Sequence, residues 1–99
     1  MPKPVIWSPH SEQDFDQILD YLQKKWDFQV IEKFIEITEL LIDQISLYPK
    51  RFPVINKKLN VRKCVLTKHN TLFYREMKNH IDILRIYDSR QDPKKLEFD

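Results

Sequence analysis

The spacing of apolar residues changes once along the chain, near Pro49, and this change limits the possible folds more than any other sequence feature. Before Pro49, apolar residues recur every three or four positions, which is typical of amphipathic helices. From about Val61 they alternate or form short runs rich in β-branched and aromatic residues, which favours strands. The 99 residues therefore predict an α+β fold in one domain, residues 1–99.

The first half of the chain predicts a short strand and two helices. Residues 5–7 are strand-like, and Ser8 followed by Pro9 favours a helix start, because serine caps free amides and proline needs no amide donor there. The first helix is predicted over about residues 9–25. The second begins after Asp27 and ends at or before residue 48, because Pro49 cannot continue a helix. Few residues separate the two, which predicts an antiparallel hairpin.

The second half predicts three strands joined by short turns, over residues 61–66, 71–77 and 81–87. Short links predict an antiparallel meander. Residues 50–60 show no clear period and are interpreted as a basic loop. The predicted order is therefore β-α-α-β-β-β, with the helical hairpin packed on a mostly antiparallel sheet.

The last predicted strand has apolar side chains on both alternating faces. Ile81 and Ile83 fall on one face, and Leu84 and Ile86 fall on the other. A strand that is buried on both faces belongs near the centre of its sheet.

The charges are segregated along the chain, although the net charge is only +2. Residues 44–75 contain no acid, and their bases are Lys50, Arg51, Lys57, Lys58, Arg62, Lys63, Lys68 and Arg75. Such a segment attracts a polyanion or an acidic peptide, or else forms a solvated surface that balances the acidic helices. Glycine is absent, so a phosphate-binding glycine loop is excluded, and turns must use Asn, Pro, Asp or His.

Several further classes of site and location are disfavoured by the sequence. Cys64 is the one cysteine and lies in an apolar strand pattern, which predicts buried packing and excludes an internal disulfide. No histidines, cysteines or carboxylates show metal-ligand spacing, so we expect neither a metal nor another cofactor. No apolar run is long enough for a membrane span or a signal peptide, so we expect a cytoplasmic protein without a membrane partner.

Three segments of the second half carry a family pattern: Val61-Arg62-Lys63-Cys64-Val65, Leu72-Phe73-Tyr74-Arg75 and Ile81-Asp82-Ile83-Leu84-Arg85-Ile86-Tyr87-Asp88-Ser89-Arg90. With Trp7-Ser8-Pro9 and the predicted element order, the chain resembles the RelE/ParE superfamily of bacterial type II toxin–antitoxin systems, and its ParE-like branch in particular. The resemblance implies a growth-arresting, plasmid-stabilising toxin, neutralised by a cognate antitoxin in a hetero-oligomer.

The resemblance implies one of two cellular targets. ParE-like members bind and poison DNA gyrase without being nucleases, whereas RelE-like members are ribonucleases that cut mRNA on the ribosome. Alignment on the Phe-Tyr-Arg strand puts Val65 or Leu66 where the ribonuclease branch carries an arginine, which favours a ParE-like, non-enzymatic toxin. The alternatives are a RelE-like endoribonuclease and a degenerate interaction module without toxicity.

Six candidate target-binding residues combine cations with one histidine: Lys57, Lys58, Arg62, His69, Arg75 and Arg90. In a ribonuclease the cations would hold phosphate and the histidine would move protons, but no catalytic residue is assigned. Strand arginines can instead form ion pairs with Glu76 or Asp82, so their gathering on one sheet face would favour a functional role. An apolar groove for the antitoxin is expected between the helical hairpin and the sheet edge.

Overall fold

Residues 2–90, which are the part of the chain described by the computed structural model, form a five-stranded sheet that carries two helices. In chain order the elements are β1 (Val5–Trp7), α1 (Pro9–Lys25), α2 (Phe28–Leu47), β2 (Val54–Asn56), β3 (Val61–Thr67), β4 (Asn70–Glu76) and β5 (Ile81–Asp88). The sheet order is β1-β5-β4-β3-β2, with β1 parallel to β5 and the other pairs antiparallel. The predicted α+β class, helical hairpin and meander are confirmed. Among residues 2–90, no helix combines the length and apolar character that crossing a membrane needs.

Both helices begin at the predicted capping residues. Ser8 Oγ accepts a hydrogen bond from Ser11 N at 3.0 Å and donates one to Leu84 O at 2.9 Å, so the same hydroxyl caps α1 and ties it to β5. The Asp27 carboxylate accepts from Val30 N at 3.3 Å and caps α2. Local sequence signals are therefore sufficient to place the hairpin.

The segment predicted as a basic loop over residues 50–60 contains a short edge strand, so that prediction is wrong for β2. The three residues of β2 are too few to show a strand period. Val54 and Ile55 are also 40% and 42% exposed, so neither face of β2 is marked by buried apolar residues. The chain turns back into β3 through Asn60, whose φ of 56° lies in the left-handed region. Asparagine tolerates that conformation better than most residues, and here it takes a position usually given to glycine.

The main core lies between the two helices and the sheet. Its most deeply buried members include Ile18, Phe34, Ile45, Leu72 and Tyr74. Cys64 is also buried there, and burial raises the pKa of its thiol to about 11, in agreement with the packing role predicted for it. The hydroxyl of the buried Tyr74 donates to Pro49 O at 2.6 Å and so fastens the start of the α2–β2 link to the sheet.

A one-residue bulge in β5, opposite the Phe73–Tyr74 step of β4, changes which side chains face the helices. Ile83 and Ile86 both pack in the main core, whereas Leu84 packs with Val61 and Phe73 on the opposite face. The prediction that Ile86 shares a face with Leu84 is therefore wrong, because the extra residue shifts the alternation. The prediction that β5 is buried on both faces and lies inside the sheet is nevertheless confirmed. Its side chains pack in both core clusters, and the strand lies between β1 and β4.

Candidate functional site

An apolar groove of about 500 Å³ lies between the helical hairpin and the turn that joins β3 to β4. Its walls are mainly the apolar side chains of Leu22, Trp26, Val30, Phe34, Ile37 and Leu66. The polar residues that line it are Lys33, Thr67, His69, Asn70 and Arg90, so none of the described lining residues is acidic. The groove lies at the turn end of the sheet rather than along an edge strand, and it suits large apolar side chains from a partner that carries acids.

Trp26 is the largest side chain in the groove wall and is 55% exposed. Its spacing predicts a place in the apolar stripe of α1, and it lines the groove together with Leu22 of that stripe. The helix ends at Lys25 as predicted, and Trp26 is its C-cap, with an extended backbone at φ of −136°. Phe28 nearby is 69% exposed but does not line the groove. Exposed aromatic side chains of this size are typical of binding surfaces.

One end of the groove is closed by contacts between the β3–β4 turn and the end of β5. Ser89 N donates to His69 O at 2.7 Å, and Ser89 Oγ lies 3.5 Å from His69 Nδ1. The Asn70 side chain accepts from Thr67 Oγ1 at 2.7 Å, while its Nδ2 is buried and makes no hydrogen bond within residues 2–90. His69 therefore lies at a groove rim that is held by backbone and side-chain hydrogen bonds.

Arg90 is held at the same end by two neighbours. Its Nε and Nη2 donate to the two carboxylate oxygens of Asp88, and its guanidinium lies 4.2 Å from the ring centroid of Tyr21 on α1. Burial alone would raise the pKa of Asp88, but hydrogen bonds from Arg90 and the positive charge of that residue hold it below its usual value. Arg90 thus joins the end of β5 to α1 in addition to lining the groove.

Lowering the pH is expected to remove stability that the Asp88–Arg90 pair contributes. The folded-state pKa of Asp88 lies below its unfolded value of about 3.9, so the contribution is complete above that pH and is lost as pH falls through the folded-state pKa. Urea unfolding between about pH 6 and about pH 2 should show a flatter pH dependence for Arg90→Met than for the parent chain. Arg51→Met is the matched control, and equal slopes for all three proteins would contradict the assignment.

The remaining candidate residues lie at the other end of the sheet. Lys57 and Lys58 are exposed in the turn between β2 and β3. Arg62 donates to Lys50 O at 3.2 Å and to Phe52 O at 2.7 Å, so it holds the link that precedes β2. Arg75 lies on the opposite sheet face from Arg62, since it pairs with Val61 across the β3–β4 ladder.

The structure therefore does not bring the six candidates together, and Arg62 and Arg75 do not lie on one sheet face, so the arrangement that would have favoured a functional role for the strand arginines is not met. Arg62 lies at the start of β3 and His69 lies beyond its end, which separates them by roughly 20 Å at the usual rise per residue. His69 and Arg90 share the groove end, whereas Lys57, Lys58, Arg62 and Arg75 share the far end.

A largely buried ion pair that no sequence pattern predicted joins α1 to β5. Asp14, which is 7% exposed, accepts from Arg85 Nε at 2.7 Å, from Arg85 Nη2 at 3.0 Å and from Ile86 N at 3.0 Å. The proposed pairing of Arg85 with Glu76 or Asp82 is wrong, because Glu76 pairs with Lys3 and Asp82 with His80. One signal was available: Asp14 precedes the buried Ile18 by four residues, so it lies on the buried helix face.

Solved structures of other proteins share this fold. A chain of the chromosomal ParDE toxin–antitoxin system from P. aeruginosa is 17% identical with a TM-score of 0.72, covering 87% of this chain and 95% of that one. A chain of the RelBE2 complex from Mycobacterium tuberculosis is 16% identical with a TM-score of 0.60, covering 89% and 99%. The YoeB dimer from Staphylococcus aureus is 16% identical with a TM-score of 0.63, covering 88% and 97%. At these identities the likeness concerns the fold alone.

The family itself is shown by sequence. None of the curated protein sequences is similar enough to the chain to match it. Residues 5–93, however, match the family model described as the ParE toxin of the type II toxin–antitoxin system parDE. That match spans β1 to the end of β5 and contains the Phe-Tyr-Arg strand and the Ile-Leu-Arg strand. The chain therefore belongs to the ParE toxin family of type II toxin–antitoxin systems.

Proposed function

We propose that this toxin arrests growth by binding DNA gyrase and does not cut RNA. The observation that carries the proposal is the division of the candidate residues between two ends of the sheet. A metal-free ribonuclease needs a base, a cation and an acid around one phosphate, within hydrogen-bond reach of the reacting atoms. Arg62 and His69 are too far apart to share one phosphate, whereas binding to a large protein surface uses separated groups.

The contacts that Arg62 and Arg90 already make within the toxin support the same proposal. Arg62 is held by the two carbonyl oxygens of Lys50 and Phe52, and Arg90 is held by Asp88 and Tyr21. A guanidinium that donates to such partners has fewer free N–H groups for a transferring phosphate. Both arginines are thus explained by the positions in which they hold the chain.

A supercoiling assay with purified gyrase tests the proposal. Toxin in molar excess is expected to reduce supercoiling or to trap cleaved DNA, and prior mixing with the antitoxin is expected to restore normal activity. Unchanged supercoiling at large toxin excess would overturn the proposal. Induced expression in a bacterium, with and without the adjacent antitoxin gene, separates either toxic mechanism from a non-toxic interaction module.

A ribosome-dependent endoribonuclease is the second candidate, and one local observation favours it. His69, Ser89 and Arg90 lie together at the groove end, where a histidine and a cation can approach the same phosphate. Toeprinting on translated mRNA would then show new 5′ ends at induced cut sites. Arg90→Ala should reduce cutting more than Arg62→Ala, because Arg62 lies at the opposite end of the sheet.

We also propose that the groove receives the cognate antitoxin. The groove is apolar along its walls and carries bases but no acid among its described lining residues, which suits an amphipathic acidic segment. The similar structures from P. aeruginosa and M. tuberculosis come from toxin–antitoxin systems, which supports a partner of this kind. Both proposed targets occur in the bacterial cytoplasm, where we expect the hetero-oligomer to form.

A further inference from the structure

The end of the sheet away from the groove carries a cationic surface, which we define by Lys57, Lys58, Lys63 and Arg75. Residues 44–75 contain no acid, so no carboxylate within that segment neutralises these side chains. Lys57, Lys58 and Lys63 are all exposed. Lys63 and Arg75 share the face opposite the helices, since Lys63 pairs with Phe73 and Arg75 pairs with Val61.

The turn that presents Lys57 and Lys58 is held in one conformation. Asn56 Oδ1 accepts from Leu59 N at 2.9 Å, and Asn60 N donates to Lys57 O at 3.3 Å. Asn60 adopts the left-handed backbone, and its Nδ2 donates to Glu76 O at 3.4 Å, which places the turn against the end of β4 beside Arg75. The two lysines are therefore positioned before a partner arrives, which lowers the entropy lost on binding.

Arg75 lacks the partner that a partly buried guanidinium normally has. Its Nε is buried and makes no hydrogen bond within residues 2–90. Asp82 is its neighbour across the β4–β5 ladder, but Asp82 Oδ1 lies 2.9 Å from His80 Nε2 instead. The adjacent Glu76 pairs with Lys3 at 2.9 Å. The buried Nε is closed to other molecules, so a carboxylate from a partner would pair with this guanidinium at its outer nitrogens, for which no hydrogen bond is seen within residues 2–90.

Aliphatic side chains lie among these cations and indicate the class of partner. Val54, Ile55, Leu59 and Val65 are exposed, and Val65 is 59% exposed on the same face as Lys63. Surfaces that bind single-stranded nucleic acid stack bases on aromatic side chains, whereas the four apolar residues named here are all aliphatic and suit the apolar contacts of a protein partner. The observations therefore favour an acidic protein segment over a nucleic-acid backbone.

We propose that this cationic surface is a second protein-binding site, separate from the groove, which receives an acidic segment of the toxin's target and pairs a target carboxylate with Arg75. The proposal rests on the proposed function in one respect, namely that the target is a protein. It requires the antitoxin and the target to contact different ends of the sheet, so toxicity and antitoxin binding are separable by substitution.

Charge reversal tests this separation in living cells and with purified proteins. Lys57→Glu with Lys58→Glu is expected to abolish growth arrest, while antitoxin affinity stays within about two-fold of the parent value because neither lysine lines the groove. Lys24→Glu with Lys25→Glu is the matched control, since both lysines lie in the last turn of α1 and give the same charge change. Growth arrest by the Lys57/Lys58 variant equal to that of the control would overturn the proposal, whether or not gyrase proves to be the target.

The role of Arg75 has its own measurement, which needs no knowledge of the target. In ¹⁵N NMR spectra of the full chain, hexaglutamate peptide is expected to shift the Arg75 Nε–H resonance and the Lys57–Lys58 amides. The Lys57/Lys58 variant should weaken that binding at least about ten-fold, and the control should not. No shift at Arg75, or tighter binding of a six-nucleotide oligothymidylate than of hexaglutamate, would overturn the proposal of an acidic protein segment.

Discussion

Asp14→Ala is expected to lower the free energy of unfolding by about 3–5 kcal/mol, because it removes the buried carboxylate that pairs with the partly buried Arg85 guanidinium. The Asp14 carboxylate accepts two hydrogen bonds from Arg85 and one from Ile86 N. Ile86 lies beyond Ile83, the last β5 residue that pairs with β1, so the carboxylate also satisfies a backbone donor past the end of the partner strand. The single substitution thus removes the ion-pair partner of Arg85 and the hydrogen-bond acceptor of Ile86 N.

Urea unfolding followed by circular dichroism measures this effect. Asp14→Leu combined with Arg85→Met is the informative control, because it removes both partners of the ion pair and fills the same space with apolar side chains. The double variant is expected to be more stable than Asp14→Ala by at least about 1 kcal/mol, although it still lacks the acceptor for Ile86 N. A loss below about 1 kcal/mol for Asp14→Ala would show that the pair does not hold α1 on β5.

Trp26→Ala is expected to weaken antitoxin binding by about 30-fold or more, which corresponds to about 2 kcal/mol or more of binding free energy. The indole forms part of the groove wall and is 55% exposed in the toxin alone, so a partner would bury a large aromatic surface there. The same exposure means that the substitution should change the stability of the free toxin little, because few core contacts are lost.

Phe28→Ala is the matched control for Trp26. Phe28 is a large aromatic residue close by in sequence, is 69% exposed and does not line the groove. Calorimetric titration with the antitoxin from the neighbouring gene should show a much smaller change for Phe28→Ala than for Trp26→Ala. Equal losses of antitoxin affinity in the two variants would place the contact at the tip of the helical hairpin. If neither variant lost affinity, the groove would be excluded as the antitoxin site.

The two proposed binding sites, at opposite ends of the sheet, would account for the charge pattern of the toxin. The far end carries Lys57, Lys58, Lys63 and Arg75, and its acids Glu76 and Asp82 pair with Lys3 and His80, while the groove end combines apolar walls with Lys33, His69 and Arg90. An acidic antitoxin and an acidic target segment would each find a complementary surface. Neutralisation by the antitoxin would then depend on steric exclusion or on covering both ends, rather than on competition for one pocket.

Local sequence signals determined most of the secondary structure of this protein. Ser8 with Pro9, Asp27 and Pro49 bound the two helices because capping and proline sterics act within a few residues of the chain. The three long strands followed from apolar and β-branched runs between polar turns, which reflect burial against one sheet. The family motifs fall within these same strands, so the family was also recognisable from the sequence.

Only the tertiary structure decided the features that depend on distant pairs of residues. Asp14 and Arg85 are 71 positions apart, and nothing local selects that partner over Glu76 or Asp82. The bulge in β5 reverses the facing of Ile86, and β2 forms because β3 offers it a ladder, although its own side chains are exposed. The candidate cations were separated for the same reason. The length of β3 keeps Arg62 away from His69, and the sheet places Arg62 and Arg75 on opposite faces. The order of charges along the chain shows neither the distance nor the face.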